Sequence, residues 1–281
     1  MRLASIGDIH ANHIALEACL DWVYSNDIDG IVFLGDYVTD CPYPMKTVEL
    51  LRNIPENYRT WFIKGNRDDY LLNYHKSPSG WSYGSKNGNL LYTYENLTNE
   101  ALDWLAAMPD TLDISIEGYE RIFAIHRPPY YEFLQKQPAE ERLEETLKLI
   151  DAPVILCAHS HVPLVYESEN RLIVNSGPLG APNQHCTDLQ FAVLEYTDRW
   201  RAETISLPYD IEGACSEFEP SGLMEKANYW ALGVRETLRT GYEYSVECIA
   251  ELRRILPQYP NKTELDEDMW EIAARNIGLI P

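Results

Sequence analysis

Five short apolar runs, each ending abruptly in a carboxylate, an amide or an imidazole, constrain this chain more than any other feature. Residues 3–6 lead into Gly7-Asp8-Ile9-His10, and residues 31–34 lead into Gly35-Asp36. Residues 60–63 lead, after Lys64, into Gly65-Asn66-Arg67-Asp68. Residues 122–125 end at His126, and residues 154–158 end at His159-Ser160-His161. Runs this short, bounded by glycine or polar residues, read as buried strands. Between the first two, residues 14–24 carry apolar side chains at helical spacing, as do residues 45–51 between the second and third. Strand, helix, strand, helix, strand implies right-handed crossovers and a largely parallel sheet. Each polar group then lies at the carboxyl end of a strand, the edge where open α/β sheets bind ligands.

Further along, residues 70–109 form an insertion beside that edge, helical over 98–107 with Thr98 as N-cap. Residues 112–116 and 121–125 read as a hairpin, and residues 139–150 as a helix. Residues 165–166, 172–174, 191–194 and 202–205 read as strands of a second sheet. After Pro208 helical patterns take over, at 209–218, 223–240, 244–256 and 266–276, punctuated by Pro220, Pro257 and Pro260. The expected organisation is a main α/β domain over 1–208 that carries the strand-end residues, and a helical appendage over 209–281. The appendage either caps the site or dimerises.

Charge narrows the partners. With 23 Lys and Arg against 44 Asp and Glu, the formal net charge is −21. Such a surface repels phosphate backbones and anionic lipid, which argues against duplex nucleic acid and membranes. A small anionic substrate needs a local inversion of that field, and metal ions supply one. No apolar run has transmembrane length, and Asp8 and His10 break the N-terminal run at once, so no signal peptide is expected. The six scattered cysteines (19, 41, 157, 186, 215 and 248) form no Cys-x-x-Cys and read as reduced thiols of a cytoplasmic protein.

The strand-end residues sum to Asp8, His10, Asp36, Asn66, His126, His159 and His161, with four of the seven histidines of the chain among them. Imidazole with carboxylate oxygen suits Mn²⁺, Fe or Zn²⁺ better than Ca²⁺ or Cu(I). Seven ligands exceed the needs of one ion and match two that share a bridge. Asp8 and His10 are spaced to face one side if the chain stays extended there.

These ordered blocks resemble the calcineurin-like metallophosphoesterases over about residues 1–208. Ala11-Asn12 and the stretch from Leu172 to Gly180, with its Asn175-Ser176-Gly177-Pro178, are similar to the bacterial and archaeal phosphodiesterase branch. The helical tail and the non-His third block are similar to a streptococcal hydrolase of ATP, diadenosine polyphosphates and phosphodiesters. The resemblance implies two packed mixed β-sheets flanked by helices in four layers (α/β/β/α). It implies two divalent transition-metal ions, Mn²⁺ or Fe ahead of Zn²⁺. Asp8, His10, Asp36 and His161 would hold the first ion, and Asp36, Asn66, His126 and His159 the second, with Asp36 as the bridge. The implied reaction is cleavage of phosphodiester or phosphoanhydride bonds in small nucleotide-type substrates, by direct attack of a metal-bridging hydroxide. A protein-phosphatase-like phosphomonoesterase and a catalytically weak scaffold on the same fold are the alternatives.

The chain departs from the family at Arg67, where most members carry a His linked to protonating the leaving group. Arg stays charged at neutral pH and donates no proton, but it can stabilise a phosphoryl group. Asp36, Asn66, Arg67 and Asp68 are therefore the expected catalytic residues; Arg67 alternatively pairs with Asp68 or Asp69. Substrates with good leaving groups should tolerate the change better than alkyl monoesters. Asn12, Arg67 and His185 are the candidate substrate contacts, with capping of the following helix the alternative for Asn12. His13 reads as a surface or supporting residue. Asp40, Tyr43, Trp81, Tyr83, Tyr92 and Tyr94 either pack the insertion or form a base-stacking lid.

Overall fold

The computed structural model describes residues 1–129, 131 and 140–281. Its first half runs β1 (Arg2–Ile6), α1 (His13–Tyr24), β2 (Gly30–Phe33), α2 (Pro44–Arg52) and β3 (Arg59–Phe62). Three insertion helices follow: α3 (Asn66–Lys76), α4 (Gly88–Glu95) and α5 (Asn99–Ala106). Next come β4 (Thr111–Ile114), β5 (Ile122–Ile125), α6 (Glu140–Leu149), β6 (Val154–Cys157), β7 (Leu164–Ser168) and β8 (Arg171–Asn175). The hairpin β9 (Leu189–Tyr196) and β10 (Trp200–Leu207) precedes the helices α7 (Ile211–Ser216), α8 (Leu223–Thr240), α9 (Tyr244–Ile255) and α10 (Glu267–Asn276). The start expected for α6, Ala139, lies outside the described residues. No helix among the described residues is long and apolar enough to cross a membrane.

Two five-stranded mixed sheets result, ordered β10-β9-β1-β2-β3 and β4-β5-β6-β8-β7. Side-chain alternation along the strands builds the layers. Ile31 and Phe33 of β2 face the core under α1, while Val32 faces the core between the sheets. On β6, Val154 and Leu156 meet that middle core, while Ile155 and Cys157 turn outward to Leu143 and Leu147 of α6. The layer order is therefore helix, sheet, sheet, helix.

The structure corrects the strand grouping. The first sheet is mixed rather than largely parallel, because β9 pairs antiparallel with β1, Leu3 opposite Leu194, and brings β10 with it. Those two strands were expected in the second sheet, which is instead completed by β4, β5 and β6. Both faces of β9 are apolar: Phe191 and Val193 join one core, Ala192 and Leu194 the other. Such a strand needs an interior place, and the free edge of β1 offers one.

Helices α7 to α10 form their own core around Phe218, Trp230, Leu238, Cys248 and Trp270. That core also takes in Ala11 and Cys41, from the loops that leave β1 and β2. Gly222 and Gly241 bound α8 with left-handed backbone at φ 77° and 66°. His13 pins the same junction, with Nε2 at 2.8 Å from Glu217 of the appendage. None of the six cysteines forms a disulfide among the described residues, and five of them are buried.

Candidate metal centre

The loops leaving β1 and β2 are laced together by backbone bonds. The N–H groups of Asp8, His10 and Ala11 donate to the carbonyls of Gly35, Asp36 and Tyr37 at 3.1, 2.9 and 2.8 Å. The chain at Asp8 and His10 is not extended, as the spacing had suggested; both residues have positive φ, 52° and 50°. Asp36, His159 and His161 share that left-handed backbone, with φ of 57°, 70° and 53°. Strain of order 1–3 kcal/mol per residue persists only where surrounding bonds over-determine it, and here it gathers at one place.

Two triads meet there. Ligand atoms of Asp8, His10 and His161 lie within 4.8 Å of one another, as do those of Asp36, His126 and His159. Asp36 faces both sets: its Oδ2 stands 4.0 Å from His10 Nε2 and 3.5 Å from His126 Nε2. Its Oδ1 is taken up by the Arg67 N–H at 2.8 Å. Asn66, the first residue of α3, points Oδ1 at His126 Nε2, 3.1 Å away. All seven sequence-derived ligand candidates thus converge at the ends of β1, β2, β3, β5 and β6.

The protonation pattern suits cations. His126 Nδ1 lies 2.7 Å from the Leu34 carbonyl, which can only accept, so Nδ1 carries the proton and Nε2 is left as a donor to metal. His10 Nδ1 lies 2.8 Å from Asp40 Oδ2, with the same consequence. Asp8 Oδ1 is buried with no hydrogen-bond partner among the described residues. It looks toward Nε2 of His161 at 3.6 Å and of His10 at 4.0 Å. Those two Nε2 atoms are 3.2 Å apart. Two nitrogens at about 2.1 Å from one ion, at angles between right and tetrahedral, stand roughly 3.0–3.4 Å apart. An orphaned buried carboxylate oxygen beside such a pair fits a divalent cation.

The charges agree. Burial would raise the Asp8 carboxyl, but the imidazoles of His161, His126 and His10 more than offset it and hold Asp8 below the carboxylate range. Burial works against charge on His161, yet Asp8 and Glu243 pull it up to about 9. Burial and neighbouring His126 push His159 down to about 3. A cation entering this cluster takes over the role of the protons.

Asp68, expected among the catalytic residues, is placed otherwise. It is fully buried, and its carboxylate accepts from the N–H groups of Gly65 at 2.8 Å, Asp36 at 2.9 Å and Tyr37 at 3.1 Å. With both oxygens occupied it clamps the Asp36 loop to the start of α3. Asn12 is likewise occupied: it caps α1 through the Ala15 N–H at 3.1 Å and donates to the Gly180 carbonyl and the Tyr209 hydroxyl, each at 3.2 Å. His185 is exposed, stacked on Tyr242, and stands outside both triads.

Arg67 pairs with neither Asp68 nor Asp69; its guanidinium lies 3.8 Å from Asp40 and 5.3 Å from the Trp230 ring centre. Burial disfavours its charge, but Asp40 and Asp36 hold it protonated. With His10, Asp40, His161, Trp230 and Glu243 it borders a cavity of about 50 Å³. Of the aromatic run, Trp81 stacks on Tyr74 at 4.1 Å, Tyr94 packs on the same ring, and Tyr92 is buried in the appendage core, so these side chains pack the insertion. Sequence reasoning missed the site roles of Trp230 and Glu243. No motif or spacing marks either residue.

Architecture and site together define a metallophosphoesterase fold. The family model for the calcineurin-like phosphoesterases matches residues 1–163, and the chain belongs to that family. An uncharacterised protein of Methanocaldococcus jannaschii is 26% identical over 240 residues, 79% of this chain and 94% of its own length. A solved Sphaerobacter thermophilus metallophosphoesterase shares the fold with TM-score 0.67 and 23% identity, over 86% of this chain and 99% of that one. A hypothetical protein of Pyrococcus horikoshii does so with TM-score 0.72 and 22% identity, over 85% and 98%.

Proposed function

We propose that this chain is a dinuclear-metal-dependent phosphohydrolase that cleaves phosphodiester or phosphoanhydride bonds, with nucleotide-type compounds as its substrate class and Mn²⁺ or Fe as its ions. The observation that carries this reading is the shared carboxylate: Oδ2 of Asp36 faces both triads. When bound, two cations clamp a phosphoryl group, acidify water between them and offset the charge of the attack. Asp8, His10 and His161 would hold one, and Asn66, His126 and His159 the other. Asp68 and the Arg67 N–H fix the Asp36 loop. The Arg67 guanidinium borders the cavity beside His10, where it can bind a phosphoryl oxygen. It cannot protonate a leaving group, which favours esters and anhydrides whose leaving groups depart as anions.

The test is an activity matrix. Metal-stripped protein reloaded with Mn²⁺ is assayed on bis(p-nitrophenyl) phosphate, p-nitrophenyl phosphate, ATP and diadenosine tetraphosphate. Diester or anhydride turnover that chelator abolishes is the expected result. A strong preference for the monoester overturns the substrate class. Silence on all four with metal bound overturns the enzymatic reading.

A further inference from the structure

The two triads are supported from different parts of the chain. Among the described residues, the hydrogen-bond partners of the second triad's histidines come from outside the C-terminal helices: the Leu34 carbonyl on His126 Nδ1, and Asn66 at the head of α3 on its Nε2. The first is held from outside. His10 is oriented by Asp40, which is 6% exposed and whose other oxygen accepts from the Trp230 indole N–H of α8 at 2.8 Å and from Asn89 of α4 at 2.6 Å. His161 turns its Nδ1 toward Glu243, the residue that precedes α9, at 3.7 Å. Both histidines of one triad therefore lean on carboxylates that the C-terminal helices anchor or supply.

Resting on the dinuclear reading above, we propose that the C-terminal appendage is part of the first metal position. Trp230, through Asp40, and Glu243, directly, are positioning residues that keep His10 and His161 aimed at the ion. The second position is independent of them. Partners of this kind typically contribute about 10–100-fold to metal affinity.

The full-length chain is titrated with Mn²⁺, with free ion counted by electron paramagnetic resonance. Wild type should show two sites. Trp230→Phe keeps an aromatic, apolar side chain and removes the N–H, while Asn89 still satisfies Asp40; Glu243→Gln keeps the shape and removes the charge. Each should weaken one site about 10–100-fold and leave the other within about twofold. In a His126→Ala background, which leaves only the first position, the weakening should persist; in a His10→Ala background it should vanish. Trp270→Phe removes an indole bond of the same helical core, to the Glu264 carbonyl, and should change neither site. Equal weakening of both sites, no weakening, or the same loss from Trp270→Phe overturns the proposal. If Trp230→Phe does not fold, Glu243→Gln alone decides. A wild-type chain that binds fewer than two ions overturns the dinuclear reading, and this proposal with it.

Discussion

Gly65→Ala isolates the geometry of the bridging loop. Gly65 has φ −102° and ψ 176°, a conformation alanine adopts without strain, so the change acts through contact with Asp36 rather than through its own dihedral angles. The added methyl would lie 2.0 Å from Asp36 Oδ1 and 2.4 Å from the Asp36 nitrogen. A carbon needs roughly 3.3 Å from an oxygen, so the Asp36 carboxylate must retreat by about 1.3 Å. Displacement of a reacting group by about 1 Å costs on the order of 10²-fold in rate. Overpacking costs about 1–3 kcal/mol, which a domain stable by about 5–15 kcal/mol survives. We therefore expect a folded variant with kcat/KM on bis(p-nitrophenyl) phosphate down about 10²-fold and fewer than two Mn²⁺ retained after dialysis. Gly118→Ala is the control. Its φ is +85° with open space around the added methyl, at the end of β5 away from His126, so it should lose about 1–2 kcal/mol and no activity. Wild-type turnover and full metal content in Gly65→Ala would refute the claim that contact between Gly65 and Asp36 sets the site.

Asp36→Asn weakens both positions together and should lower turnover by more than about 10²-fold, beyond the loss of any outer partner; full turnover with metal bound would remove the bridge. Arg67→His should raise hydrolysis of p-nitrophenyl phosphate relative to its diester, and an unchanged ratio would sink the leaving-group reading. In the metal-free chain His161 is protonated below about 9, and metal binding must release that proton. Mn²⁺ affinity at the first position should therefore rise with pH, about tenfold per unit, between pH 6.5 and 8.5, with one proton released into a weak buffer; a flat profile contradicts the assignment.

The strands that end in ligand candidates were legible because the code for them is short-range. A buried strand needs only a brief apolar run, and the residue after it falls at the sheet edge by construction. Asp8, Asp36, Asn66, His126, His159 and His161 could be read this way without knowing which strands pair. Thr98 capping α5 was legible for the same reason, its hydroxyl taking the Ala101 N–H at 3.2 Å. Asp68 was grouped with the catalytic residues because its motif neighbours are ligand candidates, while its observed place depends on three backbone donors that only the folded loop assembles.

By itself, then, the sequence determined the strands, most of the helices, the seven ligand candidates and the presence of helices after Pro208, since local apolar period and turn chemistry specify those. It did not show α3 or α4, whose residues were read as part of an insertion without helical pattern. Tertiary structure alone decided that β9 lies beside β1, that Asp40 is shared by His10, Asn89 and Trp230, and that Glu243 stands at His161. The residues in those contacts are far apart along the chain, 190 positions for Asp40 and Trp230. No local pattern encodes such meetings. They follow from which buried faces fit together once the sheets and helices have closed.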